Sequence, residues 1–342
     1  MLEKREKIYL ETTGKKYDKR SRLQVYNDLK QENYEDLAVT IGRTYFLRSN
    51  SIVPLSGLPN AMTIFCNENG YYNIYQSDRY GFNNPDTEWD AKEIEYLLIG
   101  DSFTQGACVN RPYDITSVLR KLSNKSAINL GISSSGSLTE FASLREYLPK
   151  NVRNIILLYF EGNDNGELLD ELNNEILLNY LNNESYSQNL TQKQDLQTQI
   201  VKNFIDEQFK KQNKMIELST LKDLIKMRST RGLFINAKIT FRPELEEILK
   251  LSDKLSKQNN SDFFFVYLPE FNRYKSKNYD LNNYQKIKSI VNYLEIPFID
   301  IHEEVFEKEE NPLKLFPFEM FGHYNVEGYG KVAQAIYRLT QN

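Results

Sequence analysis

Three features of the sequence predict an α/β protein built on a parallel sheet: five short apolar runs, glycine or proline closing most of them, and helical-period segments in between. The runs are Ile94–Ile99, ended by Gly100, Ala127–Leu130, ended by Gly131, Ile155–Phe160, Phe263–Leu268, ended by Pro269, and Ile296–Ile301. The third is nearly continuous in apolar residues, which suits a strand buried on both faces. Ile115–Leu122 and Leu138–Leu148 have helical spacing. Val332, Ala333, Ile336 and Leu339 line one face of a closing amphipathic helix over Val332–Leu339. Strand–helix alternation implies right-handed crossovers, with helices on both faces of the sheet.

Residues 1–90 read as an N-terminal extension. Residues 1–50 are charge-dense, with Leu23, Val25, Tyr26 and Leu29 at helical spacing, and form a helical or extended lead-in. Thr63–Tyr75 places two β-prone runs around Asn69-Gly70, a hairpin signal because both central turn positions need φ > 0. A polar loop, Ser77–Pro85, leads into the main domain at 91–342. That domain is interrupted at about 165–260 by a stretch rich in Asn, Gln and Lys, too long for a structureless crossover. Helices are predicted there near 167–182, 195–212, 217–228 and 243–258.

Composition removes several function classes. The 342 residues are 40% hydrophobic and 26% charged, an ordinary globular balance. Lys+Arg 43 against Asp+Glu 47 gives −4, too even for a dedicated nucleic-acid binder. Cys66 and Cys108 are too few for a disulfide scaffold or zinc cluster, and His302 and His323 are the only imidazoles. No stretch reaches the roughly 18 apolar residues of a membrane span, and the charged start lacks the apolar core of a secretory signal. The expectation is a cytoplasmic protein, or an extracytoplasmic one if an anchor lies upstream. The 23 Tyr and 19 Phe suit half-buried surfaces and carbohydrate or partner contacts, and equally fit an aromatic-biased proteome.

Four motifs fall at predicted strand ends or just before the closing helix, where open α/β sheets gather ligands. In Gly100-Asp101-Ser102-Phe-Thr104-Gln-Gly106, a serine follows a strand on a sharp turn, its hydroxyl out of the sheet and its N–H free to face an oxyanion. The bland reading is an ordinary strand-to-helix turn. In Asn129–Ser137, small residues let backbone amides approach a ligand or simply form a loop. In Glu161-Gly162-Asn163-Asp164, an Asn is placed to aim an amide donor at developing charge, or to cap a helix. In Phe321-Gly322-His323-Tyr324-Asn325, an imidazole lies on a loop able to reach back to the first strand. His302 is the rival base.

Together and in this order, the four motifs resemble the blocks of the SGNH (GDSL-type) hydrolase superfamily over roughly residues 94–340, the insertion excluded. The resemblance implies a flavodoxin-like three-layer fold with strand order 2-1-3-4-5. It implies Ser102 as nucleophile, His323 as general base, and Ser102, Asn163 and Ser134 or Gly136 as oxyanion donors, with no metal or organic cofactor. Asn325 and Gly328 match the block around His323. The Ser77–Asp86 run is similar to a bacterial subgroup with extra N-terminal sequence, often membrane-anchored and associated with cell-surface polysaccharide genes. Three positions depart from the pattern. The family's Asp, three residues before the histidine, is Met320 here, leaving Glu319 as a substitute acid or Ser102 and His323 as a dyad. Ser134 stands for a glycine donor, and Glu161 for the leading glycine of the third block, where its carboxylate would either repel an oxyanion or bind a substrate hydroxyl.

The implied reaction is acyl transfer through an acyl-serine, with water or another alcohol as acceptor. The leading expectation is an esterase removing a small acyl group, such as acetyl, from a carbohydrate or other ester. An acyltransferase using the same residues is one alternative. A non-catalytic glycan- or partner-binding module is another, favoured by the missing acid at 320. Nucleotide binding is disfavoured because Gly100–Gly106 lacks the P-loop lysine and GxGxxG spacing.

Overall fold

The computed structural model describes residues 2–341 except 33, 35, 49, 50 and 222–240. Eight strands occur in chain order among them: β1 (Leu37–Val39), β2 (Met62–Ile64), β3 (Ile74–Gln76), β4 (Ile94–Gly100), β5 (Ala127–Asn129), β6 (Val152–Phe160), β7 (Asp262–Leu268) and β8 (Phe298–Asp300). The last five form an all-parallel sheet in the order β5-β4-β6-β7-β8, which is the 2-1-3-4-5 order of a flavodoxin-like three-layer fold.

Period-two alternation divides each central strand between two apolar layers. Leu97 and Ile99 of β4, Ile155, Leu157 and Tyr159 of β6, and Phe263, Phe265 and Tyr267 of β7 face one layer. Tyr96, Leu98, Ile156, Leu158, Val266 and Leu268 face the other. Both layers are covered, which is why these strands read as unbroken apolar runs.

The helices that matter are, in chain order, α1 (Leu2–Thr13), α2 (Arg22–Gln31), α3 (Ser102–Gln105), α4 (Ile115–Ser123), α5 (Ser137–Tyr147), α6 (Asp164–Glu171), α7 (Glu175–Asn182), α8 (Gln194–Leu221), α9 (Glu244–Gln258), α10 (Phe271–Lys275), α11 (Asn282–Tyr293), α12 (Ile301–Glu304) and α13 (Val326–Leu339). Leu138, Phe141 and Leu144 of α5, Ile248 and Leu249 of α9 and Val291 of α11 fill the first layer. Ile115 and Leu119 of α4 and Tyr329, Val332 and Ile336 of α13 fill the second. The closing helix begins six residues before the predicted Val332, because Asn325 caps it, accepting the Gly328 N–H at 2.9 Å.

Within 165–260, the first predicted helix is divided into α6 and α7, because Asn174 recaps the chain by accepting the Leu177 N–H at 2.9 Å. The second runs on through residue 221 as α8, and the fourth is α9; most of the helix expected at 217–228 lies outside the described residues. Side chains of this region clamp the extension. Gln188 Oε1 accepts the Val53 N–H at 2.7 Å, and Gln197 Oε1 accepts the Leu55 N–H at 3.0 Å.

The extension forms its own small sheet, β1-β2-β3, with β2 and β3 antiparallel as the hairpin signal predicts. The turn differs from the expected two-residue type. Ile64 pairs with Ile74, so residues 65–73 form a broad loop in which only Gly70 of the Asn-Gly pair has positive φ (95°). A Cβ on Gly70 would lie 2.5 Å from the Tyr9 ring, so α1 packs onto a surface that only glycine leaves open. A Cys66–Cys108 disulfide ties this loop to the segment after α3.

Candidate active site

The site begins at the end of β4. A Cβ on Gly100 would sit 2.1 Å from Thr104 Oγ1 and 2.8 Å from the Leu158 carbonyl oxygen, so the turn closes only around glycine. Asp101 caps α3, its Oδ1 accepting the Phe103 N–H at 2.8 Å, and this fixes the backbone that presents Ser102. Ser102 Oγ lies 2.9 Å from His323 Nε2 across 221 residues of sequence. The imidazole sits on the loop before α13, its ring 4.7 Å from that of Phe103.

The other face of the ring meets a carboxylate from an unexpected place. Glu68 Oε1 is 3.2 Å from His323 Nδ1, and Glu68 Oε2 accepts the His323 backbone N–H at 2.7 Å. Glu68 belongs to the broad hairpin loop, two residues after the bridged Cys66. Burial opposes a charge on His323, but the Glu68 charge and hydrogen bond, with Asp101 adding to them, raise its pKa above the usual 6.5. Burial likewise works against the Glu68 charge, and the His323 contacts outweigh it, lowering its pKa.

Glu319 does not reach the imidazole. Phe318 and Glu319 both have left-handed backbone (φ 56° and 55°), and Glu319 Oε1 accepts from Asn311 Nδ2 at 3.2 Å on the protein's exposed side. Among the described residues, the carboxylate within ion-pair distance of His323 is that of Glu68, so the expectation of Glu319 or a bare dyad is corrected. His302 sits apart, its Nδ1 3.0 Å from the Tyr274 hydroxyl, and burial lowers its pKa, with Arg273 adding to the effect.

A hollow of about 230 Å³ opens over Ser102 and His323, lined by Phe103, Phe160, Gly162, Asn163, Phe271 and Phe321. Asn163 therefore joins the pair, its side chain hydrogen-bonded to the Asp101 and Glu167 carboxyls. Gly136 does not supply a free donor, since its N–H is spent on Glu171 Oε1 at 2.7 Å. Ser134 lines a separate hollow with Thr40, Ile41 and Phe65. Glu161 is neutralised: its Oε1 accepts from Arg273 at 2.9 Å and Tyr267 at 3.0 Å, and its Oε2 accepts the Glu270 N–H at 3.1 Å. It faces Arg273 rather than the Ser102 hydroxyl.

No family model matches the chain, and no curated protein matches it. Solved structures do. One from Desulfitobacterium hafniense, described as belonging to the G-D-S-L family of lipolytic proteins, is 14% identical, with 72% of this chain and 99% of that one covered, at a TM-score of 0.39. A member of the lipolytic G-D-S-L family from Veillonella parvula is 12% identical, with 73% and 99% covered, at 0.41. A protein from Lactobacillus plantarum is 11% identical, with 72% and 95% covered, at 0.37.

Glu68 was hidden from sequence reading because it lies in the extension, 255 residues from the histidine it meets. One signal pointed to it. In a chain with two cysteines, pairing Cys66 with Cys108 brings residues 66–68 beside the segment that follows Ser102.

Proposed function

We propose that the chain is a serine hydrolase of the SGNH type that cleaves esters through an acyl-enzyme, with Ser102 as nucleophile, His323 as general base and Glu68 as the acid that orients it. The observation carrying this reading is the continuous Glu68–His323–Ser102 hydrogen-bond chain at the mouth of a hollow. His323 takes the Ser102 proton through Nε2 as Oγ attacks the ester carbonyl, then returns it to the departing alcohol. Glu68 holds Nδ1–H and steadies the imidazolium. The Ser102 N–H is the first proposed oxyanion donor, and the Asn163 amide joins it once a half-turn frees its NH₂ from the Asp101 and Glu167 carboxyls. Water then releases the acyl group.

The phenylalanine-lined hollow favours a short acyl chain, of which acetyl is the simplest, on a carbohydrate or other alcohol. An alcohol acceptor in place of water would make the same residues an acyltransferase. The non-catalytic alternative loses its main support, because Glu68 supplies the carboxylate that residue 320 lacks. No described helix is long and apolar enough to cross a membrane. The Cys66–Cys108 bridge favours an oxidising, extracytoplasmic location over the cytoplasm.

The deciding experiment is hydrolysis of p-nitrophenyl acetate by the native chain and by Ser102→Ala and His323→Ala variants, with fluorophosphonate labelling followed by peptide mapping. Labelling of Ser102 and a fall of about 10³-fold or more in both variants are expected. Equal rates in all three proteins would remove the hydrolase reading.

A further inference from the structure

Beneath the Ser102 turn lies a cluster of carboxyls, two buried and one half-buried. Asp101 at the end of β4 and Asp164 and Glu167 on α6 each bring a side-chain oxygen within 4.8 Å of the other two. That distance is the span of two opposite calcium–oxygen bonds of about 2.4 Å. Asp101 and Asp164 are fully enclosed. Glu140, on α5, is 1% exposed, and neither of its carboxyl oxygens has a hydrogen-bond partner among the described residues. It stands beside this trio rather than within its 4.8 Å span: Asp101 acts on its charge more than any other carboxyl does, and Glu140 in turn dominates the repulsion felt by Asp164. Asp164 Oδ1 and Glu167 Oε2 are also buried without partners.

Among the described residues, no lysine or arginine is a leading influence on these four carboxyls. The buried Arg43 acts on Glu171, whose oxygens are already engaged by the N–H groups of Gly136, Leu138 and Thr139. His323 reaches only Asp101 among the four. Burial raises the pKa of all four carboxyls, and repulsion from neighbouring carboxyls adds to it at Glu140, Asp164 and Glu167. Unpaired charges at such depth are too costly to persist, so the site must take up either a cation or protons.

We propose that Asp101, Asp164 and Glu167 bind a hard divalent cation of the calcium or magnesium class, with the unpartnered Glu140 carboxyl beside them moving in as a further ligand. An all-oxygen ligand set without His or Cys selects such an ion over zinc or copper. A fifth ligand is at hand in Asn163. Its Oδ1 is buried without a partner while its NH₂ faces the Asp101 and Glu167 carboxyls. Amide oxygen and nitrogen exchange places by a half-turn of the side chain. With a cation present, that turn puts Oδ1 on the ion and the NH₂ toward the Ser102 hollow. The ion then ties β4, α5 and α6 together under the nucleophile turn and removes negative charge from beside the Ser102 backbone amide.

The test uses the full chain and reads binding and stability rather than ester hydrolysis, so it stands apart from the hydrolase reading. Protein purified without chelator is analysed for metal by mass spectrometry. It is then stripped with EDTA and melted with CaCl₂, MgCl₂ or MnCl₂. About one equivalent of retained metal is expected. At a hundredfold excess over Kd, the best cation should raise Tm by about 4 °C. Glu140→Gln and Asp164→Asn should abolish that shift, and the distant Glu319→Gln should keep it. No retained metal and no response to any of the three salts would overturn the proposal. So would an equal response in Glu140→Gln and Asp164→Asn, which marks surface binding. Cation-independent native protein, stabilised by Glu140→Gln, would assign the cluster to shared protons instead. If neither variant folds, metal content and the cation response of the native chain decide the matter alone.

Discussion

Replacing Glu68 by Gln tests the proposed relay most directly, because it removes a charge while keeping the side chain's size. Two donors converge on Glu68, the His323 Nδ1–H at 3.2 Å and the His323 backbone N–H at 2.7 Å. A carboxylate offers an oxygen to each. An amide offers one oxygen, so one contact becomes N–H against NH₂, and the imidazole loses its tautomeric control. The lost attraction can be sized. Unit charges 3.2 Å apart interact by about 5 kcal/mol at an effective dielectric of 20. Both side chains are more than three-quarters enclosed, 23% and 21% exposed, so screening reduces this only in part.

Since that attraction is largest when His323 is protonated in the transition state, kcat should fall about 10³–10⁴-fold in Glu68→Gln. The acid limb of the pH–rate profile should move as well. The proposed mechanism needs neutral His323, whose pKa is raised above 6.5 because Glu68 outweighs burial. Without the charge, burial prevails and the limb shifts to lower pH. The stability linkage has the matching sign. The raised His323 pKa contributes stability that is full below pH about 6.5 and fades as pH climbs through the folded value. Initial rates of p-nitrophenyl acetate hydrolysis from about pH 5 to 9 measure both effects. A Glu68→Gln variant within tenfold of native, with its acid limb in place, would refute the relay, and more so if Glu319→Gln proved the slower.

Other expectations follow from single contacts. Asn163→Ala should lower kcat about 10²–10³-fold with little change in KM, and an unchanged kcat would remove it from the oxyanion site. Replacing both Cys66 and Cys108 by Ser opens a loop closed over a separation of 42 residues, an entropic loss of about 4 kcal/mol. Calorimetry should show Tm falling by about 5 °C, with activity falling too as Glu68 loses its anchor, and an unmoved Tm would sink the argument. Arg273→Met strands the Glu161 carboxylate, 5% exposed, without its cation, and should cost about 3–5 kcal/mol in urea unfolding. His302→Ala should leave ester hydrolysis within about twofold of native, since its ring is bonded to Tyr274 and not to Ser102.

The layers of the fold were legible because burial on both faces of a sheet writes itself as unbroken apolar runs, and β4, β6 and β7 show it. Ser102, Asn163 and His323 were legible because each follows a strand or precedes a helix, where turn chemistry narrows what a residue can be. Partnerships were far less so. Gly136 looked like a free donor, yet a carboxylate 35 residues later, Glu171, takes its N–H. Glu161 looked like a threat to an oxyanion, yet Arg273 lies 112 residues on and neutralises it. Both errors have one source: a local pattern fixes backbone geometry, whereas charge is balanced by whatever the topology brings alongside. Glu68 is the sharpest case. Local spacing sought the acid near residue 320, where left-handed backbone at Phe318 and Glu319 turns the side chain away. The carboxylate comes instead from a hairpin loop held by a disulfide and by α1, whose Arg5 donates to the Phe321 carbonyl oxygen at 2.6 Å, two residues from His323. The same helix and bridge that stabilise the extension thus set the distance between the His323 ring and the Glu68 carboxylate. Loosening either should slow the chemistry before it unfolds the sheet, because the parallel core has its own packed layers while the Glu68–His323 contact depends on the extension staying docked.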